Sequence, residues 1–217
     1  CSSVLLSMGI SPVMASASVH TSEVVNRLFS GLSHFRFGNV DRQIFKKLAL
    51  YGMAGALCGA FVAVSVPAGI LRPVMAALLL LMGLRILRMA FFTGRHVQKK
   101  TCLEPLGFAG GLVDVVGGGG WGPVVTSTLI LRGNDAHMVI GSINFAKFFV
   151  AVVESAALLI LLKSPQWTII AGLIAGGMLA APLGAWGCRR MPKKALLLLV
   201  GLLVCGLSIR TIVKAFL

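Results

Sequence analysis

The sequence predicts an all-α polytopic membrane protein built from two inverted repeats, each a broken-helix hairpin followed by three transmembrane helices, with the first hairpin truncated. Three observations predict it. Hydrophobic residues make up 57% of the chain and charged residues only 12%, at a mean hydropathy of +0.94, well outside the composition of a soluble domain. Apolar stretches of membrane-spanning length recur from one end to the other. Two breaks rich in Gly, Ser and Thr each lead into an apolar helix that carries charge. Breaking a helix and burying a charge are both costly in lipid, so a chain that does both twice handles a polar solute.

Taken in order, stretches long enough to cross about 30 Å of hydrocarbon at about 1.5 Å per residue lie at 13–32, 48–66, 73–92, 138–162, 168–186 and 195–217. The first follows Pro12 and holds a polar stripe. The second contains Gly52, Gly55 and Gly59, and the fifth Gly172, Gly176 and Gly177, small residues that let helices pack closely. Trp167 and Trp186 bracket the fifth where interfacial anchors are expected. A seventh apolar region, 105–131, is cut by Gly117, Gly118, Gly119 and Gly120 into two pieces too short to cross, so a re-entrant hairpin is expected there. Cys1, Cys58, Cys102, Cys188 and Cys205 have no Cys-x-x-Cys spacing and read as small apolar filler.

Lys and Arg number 20 against 6 Asp and Glu. They sit between apolar runs rather than on one basic face, which makes them topology signals and excludes nucleic acid as a partner. Loop 34–47 holds His34, Arg36, Arg42, Lys46 and Lys47, loop 93–104 holds Arg95, His96, Lys99 and Lys100, and Arg189, Arg190, Lys193 and Lys194 form a third cluster. The loops near Arg72 and Lys163 are poor in charge. The rich loops are therefore cytoplasmic, and the connection from Arg132 to His137 joins them only if 105–131 enters and leaves on one face.

Sliding the chain by 124 positions places Ser3 on Ser127, Leu5 on Leu129, Gly9 on Gly133, Met14 on Met138, Ser18 on Ser142, His20 on Asn144 and Glu23 on Lys147. The polar exceptions line up as well as the apolar background. Residues 77–83 likewise match 195–201. A hairpin plus three spans reverses orientation, so repeats over 1–100 and 101–217 are expected to be inverted, as in many secondary transporters. The first repeat is expected to lack the counterpart of 101–124.

Ser16, His20, Glu23, Arg27 and Ser30 fall on one helical stripe, and Asn144, Lys147 and Glu154 on another. Glu23 lies about eleven residues, roughly 16 Å, into its helix, near mid-bilayer. The expected substrate site for an anion comprises His20, Asn144, Lys147, Ser3, Thr126, Ser127 and Trp121 with the backbone N–H groups of Gly118, Gly119 and Gly120, donors suited to oxyanion oxygens at a helix N-terminus. Glu23, Asp114 and Glu154 are candidates for coupling or gating. The competing reading is an interhelical ion pair between Glu23 and Lys147 that only satisfies two buried charges. Arg27 is left to snorkel towards the headgroups. Replacing Lys147 by Ala is expected to abolish uptake while leaving the fold intact.

The stretch ASASVHTSEVVNRLFSGLSHFRFGNVD over 15–41, with GGLVDVVGGGGWGPVVTSTLILRG and IGSINFAKFFVAVVES within 110–155, closely resembles the sulfite exporter TauE/SafE family, also called the toluene sulfonate uptake permeases. The resemblance implies a bacterial inner-membrane permease for sulfite, sulfonates or related sulfur oxyanions, with no enzyme activity and no cofactor, coupled to a proton or sodium gradient. Relatives resembling this chain often carry Glu in the Asn-x-x-Glu-Phe-Phe context where Lys147 stands here. They also open with a Gly-rich hairpin in the first repeat.

The function expected is thus alternating-access transport of a small oxyanion. A divalent-metal transporter is the alternative, drawing on His20, Glu23 and Asp114, but Lys147 opposes a cation. A membrane-embedded hydrolase lacks Gly-x-Ser-x-Gly and His-Glu-x-x-His spacings.

Overall fold

The computed structural model describes residues 2–91, 101–162, 166–190 and 193–216. Arg95, His96, Lys99, Lys100 and Lys163, and the side chains of Trp186, Arg189, Arg190 and Lys193, lie outside the described residues. Within them the chain is helical: α1 (Ser2–Ser7), α2 (Pro12–Arg36), α3 (Arg42–Ser65), α4 (Ala68–Phe91), α5 (Leu103–Gly117), a π-turn (Gly122–Thr126) running into α6 (Ser127–Leu131), α7 (Ala136–Leu162), α8 (Trp167–Arg190) and α9 (Lys193–Phe216).

Among the described residues, α3, α4 and the stretch Met138–Leu162 of α7 are long and apolar enough to cross a membrane, and Trp167–Leu179 and Leu197–Val213 are shorter apolar stretches. Their outward faces are hydrophobic: Leu50, Phe61, Ile70, Leu81, Ile160 and Leu202 are all exposed. So much apolar surface is stable against lipid and not against water. α2 is as long, 25 residues, but His20, Glu23, Arg27, His34 and Arg36 with its serines make it less apolar than the others. It spends that polarity inward, with Ser16, Ser18, His20 and Ser22 all buried.

The Gly-Asn-Val-Asp loop has a mechanical explanation. Gly38 takes φ +71°, stopping α2 where a Cβ would be strained. Asp41 then caps α3, its Oδ1 accepting from the backbone N–H of Gln43 at 2.8 Å and Ile44 at 3.0 Å. The Asp41 N–H donates to Ser142 Oγ at 2.7 Å, which fastens the loop to the start of α7. Phe45 and Phe145, with centroids 4.7 Å apart, pack beneath it.

Residues 105–131 fold back on themselves, since the inward side of Gly110 faces Val125 and Trp121 and that of Gly120 faces Val113. Short legs are enough here because α5 rests on α3 through glycine. A Cβ on Gly55 would sit 2.0 Å from the Phe108 carbonyl oxygen, and one on Gly111 2.1 Å from that of Gly52. Backbones this close exclude any side chain.

The 124-residue shift also relates backbone hydrogen bonds. Gly9 (φ +91°) and Gly133 (φ +83°) end their short helices alike. Gly9 N–H donates to Leu6 and Ile10 to Leu5, as Gly133 does to Ile130 and Asn134 to Leu129. α2 and α7 pack antiparallel: Gly31 meets Phe145, while Thr21 hydrogen-bonds Ser155. α4 and α9 do the same, Gly83 against Cys205 and Gly201 against Leu87.

Candidate functional site

α5 ends on a turn that consumes its own donors. Gly118 and Gly119 take φ +63° and +136°, which only glycine tolerates well. Asp114, one turn back, accepts on Oδ1 from the N–H of Gly120 at 2.5 Å and of Trp121 at 2.9 Å. Its carbonyl accepts from Gly119 N–H at 2.9 Å, and that of Val115 from Gly118 N–H at 3.4 Å. The amides expected to hold an oxyanion are therefore spent on the chain itself. A buried N–H cannot wait unpaired for a ligand at low cost, and the Asp114 carboxylate is the stronger acceptor at hand.

The stripe of α2 meets this turn. Ser16 Oγ donates to the Val115 carbonyl at 2.7 Å, and His20 Nε2 faces the Asp114 carbonyl at 3.2 Å. Both are carbonyls of the last turn of α5, whose second lone pairs remain open beside the backbone bonds they accept from Gly118 and Gly119. His20 Nδ1 faces two carboxylate oxygens, Glu154 Oε2 at 3.0 Å and Glu23 Oε2 at 3.3 Å. From α7, Lys147 Nζ donates to Asp114 Oδ2 and to Glu154 Oε2, and stands 3.3 Å from Glu23 Oε2. Glu23 Oε1 is held in turn by Arg27 Nη2 at 3.3 Å, and Arg27 Nη1 donates to Asn144 Oδ1. His20, Lys147 and Glu154 are completely enclosed, whereas Glu23 is 22% and Arg27 36% exposed.

What Glu23 and Arg27 are exposed to is a cavity of about 520 Å³ between α2, α4, α8, α9 and the glycine turn. One wall is polar, with Ser2, Ser3, Ser22, Glu23, Asn26, Arg27 and Ser30; the other is apolar, with Leu79, Met82, Ile86, Leu173 and Val204. Gly172, Gly176 and Gly177 widen it on the α8 side. They were expected to bring helices together, yet a Cβ on Gly172 or Gly176 would meet nothing within 4 Å, and only Gly177 touches a neighbour, Asn26. Gly52, Gly55 and Gly59 do the close packing.

Of the residues the sequence nominates, Ser3, Glu23, Gly118 and Gly119 line the cavity. His20, Lys147, Asp114 and Glu154 form the cluster behind it, so the ion pair of Glu23 with Lys147 exists as part of a larger network. Asn144 reaches the cavity only through Arg27. Gly120, Thr126 and Ser127 do not line it. Trp121 is buried on the other side, where its ring fills the space beside Gly52 and Gly110. Arg27 is the correction in the opposite direction, for its guanidinium turns inward to Glu23 and Asn144 instead of snorkelling. Ser22 and Asn26 were missed. Their signal is the four-residue spacing of Ser22 and Asn26, a polar line beside the first stripe that meets it at Ser30.

A broken helix and a cluster of enclosed charge beside a cavity, in a chain with lipid-facing helices, is the anatomy of a transporter. The family model for the sulfite exporter TauE/SafE matches residues 1–211. The chain belongs to the TauE/SafE sulfite exporter family. It is also 36% identical over 222 residues to the probable membrane transporter protein YtnM of Bacillus subtilis strain 168, an alignment covering 98% of this chain and 74% of that protein. No solved structure matches it. This TauE/SafE member is a multi-pass bacterial membrane transporter of a small molecule.

Proposed function

We propose that this TauE/SafE protein carries a small sulfur oxyanion, a sulfonate or sulfite, by alternating access between two inverted halves, 1–100 and 101–217, coupled to an ion gradient. The observation that carries the reading is Arg27: a guanidinium held at mid-helix on the wall of a cavity whose facing wall is apolar. A guanidinium matches the oxygens of a sulfonate or sulfite group through paired N–H donors, and Ser3, Ser22 and Ser30 add hydroxyls around it. The apolar wall suits the organic part of a sulfonate. Antiparallel packing of α2 on α7 and of α4 on α9, each related by sequence repetition, supports inverted halves.

The metal alternative has one observation in its favour, since His20, Glu23, Asp114 and Glu154 each offer a ligand atom and these atoms lie within 4.8 Å of one another. The Lys147 ammonium stands at that meeting point and bonds the carboxylates a cation would need. That opposes metal transport.

Thermal-shift measurements on purified protein with sulfite, sulfate, sulfoacetate, taurine and toluene sulfonate test the oxyanion reading. At least one stabilises the wild type, and the stabilisation vanishes in Arg27→Ala, which stays folded because the Glu23 carboxylate it leaves behind opens to the cavity and is not sealed as the Lys147 cluster is. An anion that stabilises both proteins equally, or none that stabilises the wild type, overturns it.

A further inference from the structure

The buried cluster is balanced in charge only if one more proton is present, and the geometry says where that proton sits. Both ring nitrogens of His20 face acceptors: Nε2 the Asp114 carbonyl at 3.2 Å, Nδ1 the Glu154 and Glu23 carboxylates at 3.0 and 3.3 Å. A carbonyl can only accept, so Nε2 carries hydrogen. Between Nδ1 and the carboxylates a second hydrogen is needed to avoid lone pair against lone pair, and it stays on the imidazole, ordinarily a stronger base than a carboxylate. Three carboxylates, Glu23, Asp114 and Glu154, then face three cations, Lys147, Arg27 and His20.

Such a balance constrains what enters the cavity. Arg27 is the cation that the cluster shares with the cavity, and Glu23 is the carboxylate that it shares. An anion that claims the Arg27 guanidinium leaves the enclosed groups one negative charge in excess, which is costly at membrane depth. We propose that Glu23 takes up a proton from the cavity when the anion binds, so that anion and proton move together and His20 remains a permanently charged partner. The carboxylate Oε1 released by Arg27 accepts the proton to give the neutral acid; no other bond changes. Asp114 and Glu154, at 2% and 0% exposure, are out of reach of that proton. Among the described residues, the other elements around Glu23 add no competitor: α1 presents Ser2 and Ser3, α4 presents Leu79, Met82 and Ile86, and α8 its glycines, while Arg85 of α4 turns to Thr128. This inference rests on the anion reading above and adds the coupling ion, a proton, because Lys147 fills the place where a sodium ion would find its oxygens.

Two measurements on the full chain test it. In sodium-free buffer, binding of toluene sulfonate and methanesulfonate, strong-acid anions with no proton of their own, is followed against pH. Wild-type affinity rises as pH falls, by up to about tenfold per unit, the linkage expected for one proton. Glu23→Gln, which imitates the protonated acid, binds with an affinity that pH does not change. Wild-type binding independent of pH, Glu23→Gln as pH-dependent as the wild type, or Glu23→Gln without binding overturns the assignment. The ¹⁵N spectrum of histidine-labelled protein at about pH 8, above the ordinary histidine range, shows both His20 nitrogens protonated, with His20→Gln identifying the signals; a neutral ring overturns it. If the wild type binds neither sulfonate, the coupling assignment falls with the sulfonate reading, while the broader anion reading is decided by the five-anion panel above.

Discussion

Lys147 is enclosed to within 1% of its side-chain surface and faces three carboxylates. Removing one member of a buried ion network strands the others without compensation, at a cost of about 3–5 kcal/mol. Lys147→Met is therefore expected to lower the melting temperature sharply or to prevent purification, and Lys147→Ala to do the same, contrary to the sequence-based expectation that the Ala variant stays folded. The double variant Lys147→Met with Glu154→Gln removes one stranded charge together with the cation and recovers part of the loss. Thermal unfolding of the two single variants and the double variant measures that coupling, since contacting residues are non-additive; additive losses would place Lys147 and Glu154 apart. Arg27 gives the contrasting case. It is a third exposed and its partner Glu23 opens to the cavity, where a proton can neutralise the carboxylate left behind, so its loss takes away ligand binding and costs less stability than loss of Lys147. The sequence reading assigns Lys147 to the site and leaves Arg27 to the headgroups, yet both lie mid-helix on polar stripes, and the rotation of α2 against α7 puts Arg27 on the cavity and Lys147 behind it.

Glycine does opposite things on different elements. On α3 and α5 it permits backbone contact, and on α8 it leaves space. Gly55→Ala forces a methyl onto the Phe108 carbonyl and is expected to cost about 1–3 kcal/mol or more, as overpacking does. Gly172→Ala meets nothing and should be neutral or mildly stabilising, by up to about 1 kcal/mol of helix propensity. Melting curves of the two variants, compared in one detergent, check the contrast; equal destabilisation would mean that α8 packs where a cavity is described. Gly176→Leu should keep the fold and abolish sulfonate stabilisation by filling the cavity. The sequence announces α5 and its turn clearly, since four consecutive glycines in an apolar run have few other uses. It does not announce that Asp114 reaches forward to bind the amides of Gly120 and Trp121. A carboxylate six residues before the first amide it binds carries no periodic signal, and so donors that read as free are spoken for. Trp121 reads as a substrate-site residue for the same reason, while its burial against Gly52 depends on a neighbour that is remote in sequence.

At the scale of the whole molecule, contacts sort the connections into two ends. Asp41 bonds Ser142 and Lys47 bonds Glu104 at 2.6 Å, which groups loop 34–47 with the starts of α5 and α7. At the opposite end Arg72 Nη2 donates to the Gly9 carbonyl at 3.2 Å, and Met14, Leu162 and Gln166 share a small cleft. These are the groups that charge counting separates, basic connections with basic ones and sparse with sparse. The agreement arises because alternate loops must alternate sides in any bundle of spans, so charge bias and packing report one constraint. The proposed repeat draws on a similar rarity. Polar residues are so rare in these helices that a shift aligning them has little competition, whereas the antiparallel pairing it implies, Gly31 with Phe145 and Thr21 with Ser155, needed coordinates. Single cysteines in a background lacking the five native ones test the sidedness. Gln43→Cys and Asp135→Cys, both exposed at the basic end, should react with an impermeant maleimide only after the cells are opened, and Met8→Cys and Gln166→Cys should react in intact cells. Reaction of Gln43→Cys and Asp135→Cys from opposite faces would break the hairpin, because 105–131 would then cross the membrane once, α7 would lose its orientation relative to α2, and the cluster of Lys147 with Glu23 could not form at the depth both helices place it.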